Sequence, residues 1–558
     1  MHGAATRVFV ASALFVLAVT AAIAAAPVRI EEVVPGSPMH GIEGITVGPD
    51  DALYVASITA RSLYRVDPES GAVSVFVPPP DGGADDLTFA KDGTAVWTGG
   101  AAMNALMSRS PGARPRALVS ETPGLNAVRF APDGRLYFTR IFGGDGLYEA
   151  DPDGVKPVRP IAEHIGGLNA FDFTADGAIV GPLFFRGTVN RFDPVTGSSV
   201  VIADGFSFPS AVRVLPDGYL VLNYRRGEIW RLDANATSRR LVGRVAPPAD
   251  NFIVRHGREL YVTSTAWNGI TEFDLATGGS RRVTWGALTA PGMLARTRID
   301  GQELILIADD TAVKTFDPQT RAVAILDLGA AALGTRGILP MGERYAVESA
   351  YQPGTVTLVD PHAARPPVAI GGFGRAMGLA AVPGGLLVAD YPRGEVVELR
   401  VDGDAVSRRV IASHLVGPVG LAISTSGSIY VSEFDAGRIT ELKPNPGAEG
   451  VHSDASWSDE SYASVPLVGG LLGPEGIAFA ADGRLLIVEV GGQALRALDP
   501  RTRRLAVLAK HLALGLTDGN EPQKPFLMAG IVTADDGSAY LSGDLDNVLY
   551  RVSFPGRK

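Results

Sequence analysis

A pattern returns about every 42 residues along this chain, and it limits the possible folds more than any other feature. It runs G-x-(polar)-G-(apolar)-x-(apolar), then a D-G turn, a short apolar strand, and a strand ending in D-P. One copy is Gly41-Ile42-Glu43-Gly44-Ile45-Thr46-Val47, Leu53-Tyr54-Val55 and Leu63-Tyr64-Arg65-Val66-Asp67-Pro68. A distant copy is Gly473-Pro474-Glu475-Gly476-Ile477-Ala478-Phe479, Asp482-Gly483 and Ala497-Leu498-Asp499-Pro500. A unit of roughly 40–45 residues built from four short strands is a propeller blade.

Aligning the copies on the residue before the small G/A position places twelve units at Glu43, Asp85, Asn126, Asn169, Ser210, Asp250, Gly292, Arg336, Met377, Val419, Glu475 and Ala529. The spacing holds until the tenth unit, which carries a polar insertion around 445–464; a second insertion, 515–525, precedes the last unit. One ring takes roughly four to eight blades. The predicted fold is therefore all-β, two tandem six-bladed β-propellers made of twelve four-stranded blades. Residues 27–278 form the first propeller and 279–558 the second. The sequence predicts that Val28–Val34 closes the sixth blade and that Arg281–Trp285 closes the twelfth, each ring being shut by a strand from its own N-terminal end.

Residues 1–26 stand outside this pattern. His2 and Arg7 precede an apolar stretch from Val8 to Ala26, and Ala22-Ile23-Ala24 supplies a small-x-small cleavage site. This is the pattern of a secretory signal peptide, so a periplasmic or secreted protein is expected. An uncleaved N-terminal anchor is the lesser alternative, and no second membrane span is expected in the mature protein. The chain has no cysteine, so no disulfide supports the rings. With a net charge of −10 and no Lys/Arg block, nucleic acid is not expected as a partner.

The inner strand of each propeller blade begins at the mouth of the central channel, so the aligned residues ring the axis. In the first ring they are Glu43, Asp85, Asn126, Asn169, Ser210 and Asp250, all oxygen-bearing. Six oxygen donors on one axis suit a hard divalent cation, with Ca²⁺ the leading choice. Without a cation, such carboxylates repel one another and their pKa values rise; the plainer alternative is a solvated channel. The loops around this mouth carry Arg140, Phe184, Phe185, Arg186, Tyr224, Arg225, Arg226 and Trp267, a set suited to an anionic or carbonyl-bearing organic substrate. The second ring presents Gly292, Arg336, Met377, Val419, Glu475 and Ala529. Instead, its second strands end in an unbroken row of acids: Asp309, Glu348, Asp390, Glu433, Glu489 and Asp544. An acid at a strand end accepts backbone N–H bonds from a nearby turn. The functional alternative is an acidic face for a cationic protein partner of the second propeller. None of the eight histidines falls on either axial ring, and His164, His414 and His511 share one repeat position at an outer strand's end.

The wording G-x-E-G-I, D-G-x-L-Y-V, L-Y-R-V-D-P resembles the gluconolactonase/regucalcin-like (SGL) and NHL-type superfamily of six-bladed propellers, over nearly the whole chain after residue 26. The resemblance implies an axial divalent metal held by a Glu, an Asn and an Asp. Glu43 matches the Glu, and Asn126 and Asn169, both in Gly-Leu-Asn-Ala, match the Asn. The family's Asp stands in a P-D-G setting; here that blade has Phe208-Pro209-Ser210, and Asp250 follows one blade later. Streptogramin lyases share the repeat type but use a histidine base near the metal, and no ring histidine stands here. The expected activity is metal-dependent hydrolysis of a lactone or ester. Glu43, Asn126, Asn169 and Asp250 are the expected metal ligands, Asp85 the general base, and Arg140, Arg186, Tyr224 and Ser210 the substrate contacts. The alternative is a non-catalytic scaffold that binds a protein or small ligand.

Overall fold

A computed structural model describes residues 28–99, 104–327, 334–349, 352–362, 364–444, 462–517, 519, 524–525 and 527–555. The expected signal peptide lies outside the described residues, as does most of the insertion around 445–464.

Twelve four-stranded antiparallel sheets make up the fold. Among the described residues the only helical element is a 3₁₀ turn at Thr265–Trp267, and no helix is long and apolar enough to cross a membrane. The packing of inner strands divides the sheets into two closed rings of six. The inner strand of blade one, Ile42–Val47, packs beside that of blade six, Ala249–Arg255. The inner strand of blade seven, Pro291–Ile299, packs beside that of blade twelve, Ile531–Thr533.

Closure differs from the sequence expectation at both places. The N-terminal strand Arg29–Val34 does not complete blade six. It pairs antiparallel with Val548–Ser553, with Arg29 opposite Ser553, and forms the outer strand of blade twelve. Ser280–Thr284 does not complete blade twelve; it is the outer strand of blade six, paired with Gly269–Asp274. Side-chain packing explains both outcomes. Val33 and Val34 enter an apolar wedge with Leu294, Ile305, Phe316, Tyr540 and Leu549, contributed by blades seven and twelve. Arg281 pairs with Glu272 on the adjacent strand of its own sheet.

Ring one therefore closes without a shared strand, and side chains hold the seam between blades six and one. Met39, Ile42, Ile45, Tyr261 and Ile270 form one buried cluster there, and Arg255 bonds Asp51 at 2.5 Å. A hydroxyl at a fixed place on the second strand also reaches the axial residue of the next blade. Thr98 Oγ1 donates to Asn126 O at 2.6 Å, Ser432 Oγ to Glu475 O at 2.6 Å, and Ser542 Oγ to Gly292 O at 2.8 Å. At the ring-one seam, Thr263 Oγ1 donates to Glu43 O at 2.6 Å. The same bond that closes the ring thus fixes the backbone of an axial acid. Thr263→Val leaves that carbonyl without its donor, so we expect a loss of about 1–2 kcal/mol in urea unfolding. An unchanged midpoint would mean that the bond contributes nothing.

Candidate functional site at the mouth of ring one

Four of the six axial residues, Glu43, Asn126, Ser210 and Asp250, lie at a break in the register of their inner strands, while Asp85 and Asn169 precede theirs. The pairing slips between Ile42 and Ile45, between Leu125 and Val128, between Pro209 and Ala211, and between Ala249 and Phe252. Such a bulge frees a residue from the ladder and re-aims its side chain, here toward the axis. Glu43, Asp85 and Asp250, each half-buried, lie near enough for their charges to act on one another. Burial, followed by the charges of Asp85, Asp250 and Asp310, pushes the Glu43 carboxyl well above the usual carboxylate range. Burial and then Asp250 do the same to Asp85, while the Asn126 amide, donating to Asp85 Oδ2 at 3.0 Å, opposes them. Asp250 is pushed up to about 7, by burial first and then by Asp86. Glu43 Oε2 and Asn126 Oδ1 are buried with no hydrogen-bond partner among the described residues.

The expected substrate contacts lie at different depths. The Tyr224 phenol is held protonated by burial and then by Asp250, Glu43 and Asp310, which places it at the acidic mouth. Ser210 is fully buried, and its hydroxyl is committed to Ala249 O at 3.1 Å. Asn169 is buried and accepts the Ala170 N–H through Oδ1 at 2.8 Å. Arg140 and Arg186 sit on the rim. Arg140 donates to Pro123 O at 2.8 Å and to Gly143 O, and Arg186 to His164 O at 3.2 Å. His164, His414 and His511 all have left-handed φ, near 56–60°, so their shared position is a turn at the end of an outer strand.

Two features were not anticipated. The second propeller reaches the site: Thr59 Oγ1 donates to Asp310 Oδ2 at 2.5 Å across the two rings. Gly41 makes that approach possible. Its φ is +54°, and a Cβ there would lie 2.9 Å from Asp310 Oδ2. Below the mouth, an ionic network crosses the channel. Arg213 donates to Asn251 Oδ1 at 2.8 Å, Asn251 to Asp86 Oδ1 at 3.4 Å, and Arg129 pairs with Asp172 at 3.1 Å. Burial, then the Arg129 charge, lowers Arg213 to about 9. Ring two lines the same depth with Ala295, Leu339, Ala380, Ala422 and Ala478, around a channel of about 470 Å³.

The acidic row of ring two is buried rather than presented as a face, and most of it takes the role expected of strand-end acids, accepting backbone N–H bonds. Five of its members latch the loop that leads into their own blade's inner strand. Asp309 accepts Thr289 and Ala290 N–H, Asp390 accepts Gly374 and Arg375, Glu433 accepts Val416, Glu489 accepts Leu472, and Asp544 accepts Gly515 and Leu516. Glu348 is the exception. Both its oxygens are buried with no hydrogen-bond partner among the described residues, and burial raises its pKa to about 7.

Among the described residues no three His, Cys, Asp or Glu side chains stand together as a metal-ligand group. A cation at this mouth therefore depends on amide oxygens beside the carboxylates. The unpartnered Glu43 Oε2 and Asn126 Oδ1 fit that donor set.

No protein-family model matches the chain, and none of the curated proteins does. Solved structures similar to it include virginiamycin B lyase from Staphylococcus aureus, at 16% identity over 50% of this chain and 96% of the lyase, with a TM-score of 0.36. A protein assigned as a gluconolactonase matches at 16% identity over 43% of this chain and 90% of its own, with a TM-score of 0.35. The tricorn protease matches at 14% identity over 92% of this chain and 61% of its own, with a TM-score of 0.35.

Proposed function

We propose that the mouth of ring one holds a divalent cation, Ca²⁺ foremost, and hydrolyses a lactone or ester of a small organic acid in an exported protein. One observation carries this reading. Three half-buried carboxylates at the mouth raise one another's pKa, no Lys, Arg or His occupies the six ring positions, and two buried acceptors lack donors among the described residues. A positive charge relieves that repulsion and satisfies those acceptors.

Glu43, Asn126, Asn169 and Asp250 would hold the cation, which when bound polarises a carbonyl and lowers the pKa of water. The other steps belong to the side chains. Asp85, oriented by the Asn126 amide at 3.0 Å, takes a proton from the attacking water. The protonated Tyr224 phenol donates to an oxygen of the substrate. The ionic network around Arg213 lies below these groups and lines the channel with polar contacts. Arg140 and Arg186 attract the acidic group from the rim.

Elemental analysis of the purified protein should find about one divalent cation per chain, lost in Glu43→Gln. Asp85→Asn should keep the metal and lower kcat on a lactone substrate by about 10²–10⁴-fold. The reading is falsified if Glu43→Gln retains both metal and turnover.

A further inference from the structure

Beside the mouth, between blades four and five, runs a groove of about 540 Å³. It opens where the latch of the second ring is missing. In ring two, an acid at the end of the second strand binds N–H groups of the loop leading into the inner strand. Blade five has Asn223 at that position, ending the strand Gly218–Asn223. Its amide turns instead to Glu228 Oε2 at 3.1 Å, and its Oδ1 is left without a partner among the described residues. The loop Gly205–Phe208 is thus held without a side-chain latch, by the Tyr224 N–H to Phe208 O at 3.0 Å and the Phe206 N–H to Gly187 O at 3.1 Å, and the groove lies between it and Phe184–Gly187.

The walls of the groove have a definite chemistry. Phe184, Phe208 and Trp230 supply flat apolar faces; Arg186, Arg226 and Arg239 supply cations. The only carboxylate in the lining, Glu228, is already satisfied by Arg244 at 3.0 Å, Asn223 and the Trp230 indole at 3.2 Å. Arg239 lies over the rings of Phe206 and Trp230, at 5.3 and 5.4 Å. Arg226 is exposed, with no ion pair or hydrogen bond among the described residues. The groove is therefore cationic and aromatic together. It borders the mouth, since its wall residue Phe184 packs against Phe208 at 5.2 Å and edge-on against Tyr224 at 5.8 Å.

We propose that this groove binds the body of a small aromatic carboxylate, its ring against the wall formed by Phe184, Phe208 and Trp230 and its anion on the arginines. A pocket of this size suits a ligand of drug-like dimensions, and arginine both stacks on aromatic rings and grips carboxylates. That the ligand is also the substrate rests on the function proposed above; that it binds does not.

The probe is 2-naphthoate, titrated calorimetrically into the full protein in EDTA, beside the neutral 2-naphthalenemethanol. We expect one naphthoate site, at least about tenfold tighter than the alcohol. Arg226→Glu and Arg186→Glu should each weaken naphthoate about tenfold or more and leave the alcohol unchanged, since an opposed charge costs on the order of a hundredfold at most in a solvated groove. Equal affinity for the two probes, no binding at millimolar concentration, or naphthoate affinity indifferent to both substitutions would each overturn the proposal. Because the titration is free of metal, failure of the cation site leaves its outcome untouched.

Discussion

Stripped of divalent cations, the protein should lose stability as the pH rises from about 4 toward 7 and beyond, and millimolar Ca²⁺ should restore it. The sign follows from the mouth of ring one. Asp250 titrates near 3.8 when unfolded and at about 7 when folded, so across that window the folded chain holds the extra proton. Stability supplied by the protonated form is complete below the unfolded pKa and is lost as the pH climbs through the folded one. At roughly 1.4 kcal/mol per pKa unit, Asp250 alone accounts for something on the order of 4 kcal/mol. Glu43 and Asp85 act in the same direction. Glu348, raised to about 7, and Asp544, raised to about 6, add a slope from ring two that a cation in ring one does not relieve. Exposed acids such as Asp274, held down to about 2 first by Arg258, act oppositely and only as the pH falls below about 4. Urea melts at pH 4.5 and 8, in EDTA and in CaCl₂, read the difference, and Asp250→Asn should flatten the EDTA profile. A metal-free stability that is level or rising over that range would sink the argument.

A second large effect is expected at the joint between the rings. Lys314 is wholly buried there. Its ammonium meets Asp309 Oδ2 at 2.5 Å and Ala287 O at 2.8 Å, donates to Ala266 O of ring one, and lies 4.7 Å from the Trp267 ring. Trp267 in turn stacks on Trp285 at 5.1 Å. Burial lowers the Lys314 pKa while Asp309 supports the charge. Lys314→Met strands the Asp309 carboxylate and removes two inter-segment bonds, at an expected cost of about 3–5 kcal/mol. Combining it with Asp309→Asn should recover part of that loss, since no buried charge then lacks a partner. Calorimetry of the single variant should separate the melting of the two rings. A loss below about 1 kcal/mol would show that the pair does not hold the joint.

The blades were legible because every one needs the same turns and the same inner strand, and the axial acids were legible because they stand at a fixed offset in the repeat. The pairing of the outer strands was not. Arg29–Val34 and Ser280–Thr284 share the half-exposed, charge-bearing pattern of any outer strand. Their partners are chosen by a wedge of side chains from other blades. The channel network left a trace that was passed over. Arg129, Asp172 and Arg213 each stand three residues after an axial residue, where ring two has Ala295, Leu339 and Ala380. Asp86 was masked by its neighbour Asp85, although the two carboxylates serve different depths. Asp310 had no trace within its own ring, because it acts on residues of the other propeller.

The placement of Arg29–Val34 has a consequence for how the molecule is assembled. Everything ring one requires, from Ile42 to Thr284, leaves the ribosome as one uninterrupted stretch. Ring two cannot be finished until Val548–Ser553 comes back to a strand made before any of ring one existed. The first propeller is, in effect, a passenger threaded through the second. A fragment starting at the second ring would display Val548–Ser553 as a bare edge, ready to take the missing strand from another molecule. Among the described residues the first strand and the last are clasped side by side in one sheet.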